Sequence, residues 1–235
     1  MIAAPLAPPT PFGGGGRLAR PARAARPDGS RHRQRRTNCY SRAVNEQRPS
    51  KVRTFLAVEV SPSIQAALVE LKHELARCDA GVRWVRDEAL HATVKFLGGV
   101  EESVLPSLHA AVSDAVSDAP APSADVRGLG GFPSLKRPRV LWVGMECQPL
   151  TAIAAAVDRA LTPLGFAPEA RAFRAHITLG RVNSMQNWSA LEPLLQRRWR
   201  DDFGSCAIEA LIGFRSDLRR DGAVYTKLWT IPFGG

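Results

Sequence analysis

The chain has 235 residues, 45% of them hydrophobic, enough for one domain or two small lobes with a proper core. No apolar stretch reaches the roughly eighteen residues that a transmembrane helix needs. The net charge of +10 lies in the first 53 residues, where twelve Lys and Arg face only Asp28 and Glu46; the bases and acids that follow cancel, so the isoelectric point says little about the substrate.

Residues 1–50 are rich in Ala, Pro, Gly and Arg and almost without periodic apolar residues. Such a segment cannot bury enough apolar surface to offset its ordering entropy, which predicts a disordered basic tail before a folded domain over 51–235. Pro5, Pro8, Pro9 and Pro11 interrupt what a signal peptide would need as a hydrophobic helix, and no apolar stretch follows Arg35-Arg36, so both export signals fail. Three readings of the tail stand: weak contact of its arginines with RNA phosphates, a targeting segment, or a stretch absent from the cellular protein because the start lies downstream. The last two are favoured, since only Phe12 and Tyr40 interleave the bases as aromatic residues.

From residue 53 the texture changes. A strand is expected over 54–60, then a helix capped near Ser61 and Ser63, with Ile64, Leu68, Leu71 and Leu75 on one face. A short strand over 82–85, a turn at Asp87-Glu88 and a strand over 91–97 follow, the last ended by Gly98-Gly99. A helix over 101–116 leads to strands at 124–129 and 140–145, with a Pro- and base-rich loop over 132–139 between them. A helix over 150–161 turns at Gly165. A strand over 173–182, a helix over 189–199 and strands over 206–215 and 223–230 close the chain, with a turn over 218–222 between the last two. Strand–helix–strand units occurring twice predict an α+β protein with a pseudo-twofold relation between two lobes.

The chemistry sits in two tetrapeptides of one form, His91-Ala92-Thr93-Val94 and His176-Ile177-Thr178-Leu179, one on a strand of each half. Alternation along a strand puts His91 and Thr93 on one face and Ala92 and Val94 on the other, and it treats His176 and Thr178 alike. A lone His-x-Thr is common by chance; two copies on strands, one per half, are not. An imidazole titrates near neutral pH, so one can take a proton while the other gives one, which is the equipment for cleaving a phosphodiester without a metal. The threonine hydroxyls can hold phosphate oxygens as charge develops on them. Two histidines on separate strands could instead ligate zinc, but no third ligand is obvious nearby and threonine is a poor one. Arg181 falls on the opposite face by alternation unless Gly180 introduces a bulge, in which case it becomes a phosphate contact. His32, His73 and His109 are assigned to tail or helix surface without function. Cys39, Cys78, Cys147 and Cys206 are scattered without a C-x-x-C pair and read as reduced thiols of a cytoplasmic protein.

These residues resemble the 2H phosphoesterases, named for their paired His-x-Thr-x motifs, and within them the RNA 2′,3′-cyclic phosphodiesterases, also called 2′-5′ RNA ligases. The resemblance runs over about 52–233, through Arg83-Trp84-Val85, the motif strand to Gly98, Phe132-Pro133, Arg139–Trp142, Arg174–Arg181 and the end from Tyr225 to Pro232. It implies a bilobal α+β fold, two pseudo-symmetric lobes of antiparallel sheet with outer helices around a central cleft. It implies hydrolysis of a terminal 2′,3′-cyclic phosphate to a 2′-phosphomonoester, with no metal and no cofactor. His91 would be the proton donor and His176 the proton acceptor, with Thr93 and Thr178 on the phosphate. The same chemistry reversed joins RNA ends through a 2′-5′ bond. The implied partner is RNA with a cyclic phosphate end, or a small cyclic nucleotide, bound by a monomer with no membrane and no protein partner. The alternatives are an RNA-end binder without catalysis and a related enzyme acting on another cyclic phosphate or on 2′-5′ linked oligonucleotides.

Overall fold

The computed structural model describes residues 50–220 and 222–234. Apart from Ser50, the segment expected to be a tail, with His32 and Cys39, lies outside them. Nine strands form one antiparallel sheet: β1 (Lys51–Val58), β2 (Val82–Trp84), β3 (Ala92–Glu101), β4 (Ser123–Phe132), β5 (Val140–Glu146), β6 (His176–Val182), β7 (Asp202–Ala207), β8 (Ala210–Arg219) and β9 (Gly222–Pro232). Four helices accompany them: α1 (Pro62–Ala76), α2 (Leu105–Val116), α3 (Gln148–Leu161) and α4 (Trp188–Arg198). None is long and apolar enough to cross a membrane.

The strand order is β7-β4-β5-β6-β3-β1-β8-β9, with β2 pairing the far end of β6. The two motif strands therefore meet at the middle, with three strands beyond each. The lobes are not successive halves of the chain, as the element order alone suggests. The first lobe joins β3 and β1 to β8 and β9 from the C-terminal end, while β4, β5, β6 and β7 make the second. Sequence reading errs at other ends as well. β3 runs through Gly98-Gly99 to Glu101, because Gly98 takes a left-handed φ of 72° in a register shift and the strand goes on pairing with β1. The stretch read as one strand over 206–215 is two, β7 at one edge of the sheet and β8 near the other, between β1 and β9. β6 begins at His176 rather than 173, and a 3-10 turn, Glu102–Val104, precedes α2.

The helices bury their apolar stripes on one face of the sheet. Leu68, Leu71 and Leu75 of α1, Leu108 and Val112 of α2, and Leu150, Val157 and Leu161 of α3 join Leu56, Ala92, Val143, Ile177 and Leu179 in one core that spans both lobes. The Ser61 hydroxyl caps α1 by accepting from the Ile64 amide. The opposite face carries a small cluster of its own: Phe55, Ala57, Ile212 and Phe214, with Tyr225 packed against it. β9 lies three strands from β3 in sheet order, yet the Tyr225 ring stands 5.1 Å from that of His91. In a flat sheet three strand spacings come to about 14 Å. The sheet is curled, and side chains from its edge converge over the motif strands.

Candidate active site

The two motifs touch through a single register pair, Ala92 opposite Ile177 in antiparallel strands. One residue to either side, that register sets His91 across from Thr178 and Thr93 across from His176. Residues opposite one another in an antiparallel pair share a face. Ala92 and Ile177 are fully buried toward the helices, so the two histidines and two threonines crown the concave face, as alternation requires.

Each imidazole is held the same way. His91 Nδ1 lies 2.9 Å from the carbonyl oxygen of Ala89, and His176 Nδ1 lies 2.7 Å from that of Arg174, two residues upstream in both cases. A carbonyl only accepts, so Nδ1 carries the hydrogen and donates it. Nε2 is left in both rings to exchange a proton with whatever occupies the cleft. The segments that supply these carbonyls are themselves pinned, each by a lysine only 3% exposed. Lys72 of α1 donates to the Val85 carbonyl at 2.8 Å and pairs with Asp87, which holds the 3-10 turn Asp87–Ala89 ahead of His91. Lys95 of β3 donates to the Ala167 carbonyl at 2.9 Å and pairs with Asp158 of α3; the other carboxylate oxygen of Asp158 accepts from the Glu169 amide at 3.0 Å. That fixes the loop leading to His176.

Both motif strands bulge at the same place. Thr93 pairs with Ala57 and Lys95 with Leu56, so Val94 is the extra residue in β3. Thr178 pairs with Trp142 and Gly180 with Leu141, so Leu179 is the extra residue in β6. In each strand two successive residues then face the core, and the alternation beyond them is reversed. Arg181 emerges on the histidine face for this reason. Gly180 is required there: a Cβ would lie 2.7 Å from Val82 Cγ1 and 3.0 Å from the Trp84 ring, where β2 closes on β6. The same bulge in β3 brings out Phe96, which stands 58% exposed on the cleft lip. Phe96 and Arg181 are counterparts, each five residues past its histidine. Sequence reading missed Phe96, although its equal spacing could have marked it.

The surroundings of the two rings differ. His91 stacks on Phe55, centroids 4.9 Å apart at 29°, and meets the edge of Tyr225; Phe214 lies 6.0 Å away. Burial beneath these rings pushes its pKa down to about 4. The Ala89 carbonyl and the Glu59 carboxylate oppose that shift, and His176 adds to it. Burial outweighs them; Glu59 itself accepts from Lys227, 2.7 Å away. Burial also raises the Tyr225 phenol, against the pull of Arg181 and Arg53, whose positive charges reach it from β6 and β1. His176 meets Phe132 edge-on at 5.1 Å and Trp142 at 6.2 Å, and opens on a groove of about 620 Å³.

The remaining described histidines stay out of the site. His73 is exposed on α1 beside Asp87, and His109 of α2 packs near Trp229. Among the described residues, no three His, Cys, Asp or Glu side chains come together in a way that could hold a metal ion. Cys78, Cys147 and Cys206 are free thiols.

The sequence profile of the LigT-like phosphoesterases matches this chain twice, over residues 58–142 and 143–225, one His-x-Thr-x motif falling in each match. An RNA 2′,3′-cyclic phosphodiesterase of Aeropyrum pernix is 32% identical over 166 residues, 70% of this chain and 93% of that protein. Its namesake from Methanothermobacter thermautotrophicus is 31% identical, covering 76% and 97%. A crystal structure from Thermus thermophilus superposes with a TM-score of 0.66 at 28% identity, over 77% of this chain and 97% of that one. Escherichia coli LigT, at 22% identity and a TM-score of 0.62, shares the fold.

Proposed function

Because the chain belongs to the LigT-like phosphoesterase family, we propose that it hydrolyses the terminal 2′,3′-cyclic phosphate of RNA to a 2′-phosphomonoester, with His91 and His176 as the acid–base pair. The observation that carries this reading is the single register pair, which gathers two imidazoles and two hydroxyls on one face with both Nε2 atoms unengaged by the backbone.

His176 Nε2 takes a proton from water as its oxygen attacks phosphorus. The bond from phosphorus to the 3′ oxygen breaks, and His91 Nε2 gives that oxygen its proton. The product carries a 2′-phosphate and a 3′-hydroxyl. Thr93, Thr178 and Arg181 hold the non-bridging oxygens, where charge builds up. Phe96 offers a ring face to the base of the terminal nucleotide. The two imidazoles serve both proton transfers, so no step calls for a metal. His91 must arrive protonated, which its burial opposes in the empty cleft; an anionic phosphodiester seated against it supplies the opposite charge that raises its pKa. The substrate is cytoplasmic RNA, or a small cyclic nucleotide, bound by a monomer.

Incubation of a nucleoside 2′,3′-cyclic phosphate and of cyclic-phosphate-ended RNA in excess chelator tests the reading. The expected product is the 2′-phosphomonoester. A 3′-phosphomonoester would reverse the assignment of the leaving oxygen. Binding without turnover would make the chain an RNA-end binder.

A further inference from the structure

Arg53, Ser216 and Tyr225 stand in a row across three strands of the first lobe. Thr54 of β1 pairs with Arg215 of β8, so one residue further along that register sets Arg53 across from Ser216, and Ser216 pairs with Tyr225 of β9. Residues opposite one another share a face. Here it is the concave one: Arg53 lies two residues before Phe55 and Ser216 two after Phe214, and both of those rings pack around His91. Arg53 is exposed, and Gly99 opposite it in β3 has no side chain to cover it. Ser216 is only 8% exposed. The Tyr225 ring is wedged 4.9 Å from Phe55, 5.1 Å from His91 and 6.4 Å from Phe214, so its hydroxyl has a fixed direction. Among the described residues, none of the three side chains has a hydrogen-bond or ion-pair partner. A phenol this far covered usually finds one.

A guanidinium and two hydroxyls without protein partners are donors for an anion. Burial raises the Tyr225 phenol, so it keeps its proton at neutral pH and can donate it. The charges of Arg53 and Arg181 both act on that phenol, one from the row and one from the other lobe, which ties the row to the phosphate site between the histidines. Successive side chains on one face of a strand stand about 7 Å apart. The row is therefore one step beyond Phe55, on which His91 stacks and with which Phe96 pairs. A nucleotide bridges such a step with its own ribose, which carries one phosphate on the 2′ and 3′ oxygens and another on the 5′ oxygen. We propose that Arg53, Ser216 and Tyr225 bind the phosphate on the 5′ oxygen of the terminal nucleotide, the link that joins it to the rest of an RNA strand. The inference rests on the phosphodiesterase reading given above, with the cyclic phosphate between the histidines and the base on Phe96. The row then sets substrate preference: an end that carries this phosphate is favoured over a free nucleoside cyclic phosphate.

The test gives the full chain two substrates, adenosine 2′,3′-cyclic phosphate and its counterpart with a 5′-phosphate. The quantity measured is the ratio of kcat/KM with the 5′-phosphate to kcat/KM without it. This ratio does not depend on how much of a variant is folded. In the unaltered protein it should be about ten- to a hundredfold, the scale of a charge-assisted hydrogen bond. The preference should reside in KM, because this phosphate takes no part in bond making. Arg53→Met should bring the ratio close to one, while Arg53→Lys keeps most of it. Tyr225→Phe, which keeps the ring against His91 and removes the donor, should lower it by about threefold to tenfold. A ratio near one in the unaltered protein, or a ratio that survives Arg53→Met, overturns the 5′-phosphate site alone. Absence of hydrolysis of both substrates in the unaltered protein overturns the phosphodiesterase reading and this one with it.

Discussion

The two lobes present their histidines in one frame and surround them differently. On both sides an upstream carbonyl holds Nδ1, a buried lysine pins the segment that supplies the carbonyl, and a bulge three residues past the histidine turns a fifth-position side chain onto the cleft face. Within that frame His91 lies beneath Phe55, Phe214 and Tyr225 with its pKa near 4, and Phe96 is its companion. His176 faces a groove and has Arg181. A duplicated scaffold fixes where the nitrogens point. The divergent lining gives the two rings different surroundings: burial works against a charged His91, so in the proposed mechanism it is the bound phosphate that must hold the proton on that ring.

The largest effects should come from the part the lobes share. His91→Ala and His176→Ala should each lower kcat by about 10²-fold or more, with the folded circular dichroism spectrum kept. The double variant should be little worse than either single one, because the two act as a unit. A folded single variant with near-normal turnover would break the comparison at its root. The threonines come next. Thr93→Val and Thr178→Val keep shape and delete one donor, and each should cost on the order of 10²-fold in kcat, less where another donor shares the oxygen. Full kcat/KM in both would reduce them to structural residues.

Smaller effects should separate the lobes. Arg181→Met should lower kcat/KM by about ten- to a hundredfold, the scale of a lost charge-assisted hydrogen bond. Phe96→Ala should raise KM for a cyclic nucleotide by about tenfold and leave kcat nearly unchanged, as for a stacked base that does not take part in bond making. Identical kinetic signatures in the two variants would show that the bulge positions are interchangeable and that the lobes have not divided the work.

What could be read from the chain follows the range of the interactions. The motif faces were legible because alternation is local: Ala92 and Ile177 are buried where the pattern puts them. The bulge at Arg181 was legible only as a condition attached to Gly180, since the extra residue shows itself in the register with β5. The aromatic roof of His91 was not legible. Phe214 and Tyr225 come from strands that return to the first lobe after the second has been built, and nothing near residue 91 announces them. The buried lysines were hidden for the same reason. Their type predicts a surface, and they are buried because carbonyls and carboxylates from distant segments meet them: Val85 and Asp87 at Lys72, Asp158 and Ala167 at Lys95.

The claim that two differently poised histidines share the proton transfers is tested most directly by kcat/KM against pH for a nucleoside 2′,3′-cyclic phosphate, which reports the free enzyme. The reactive state holds one proton between the two imidazoles. The His91 ring takes up its proton as pH falls through about 4, and once both rings are charged no base is left. At high pH both are neutral and no acid is left. The profile should therefore be a bell whose acid limb bends near pH 4, and that bend should move upward in kcat, where bound phosphate favours the charged ring. An acid limb that bends at the ordinary histidine value of about 6.5, or a profile rising steadily through neutral pH, would contradict the account.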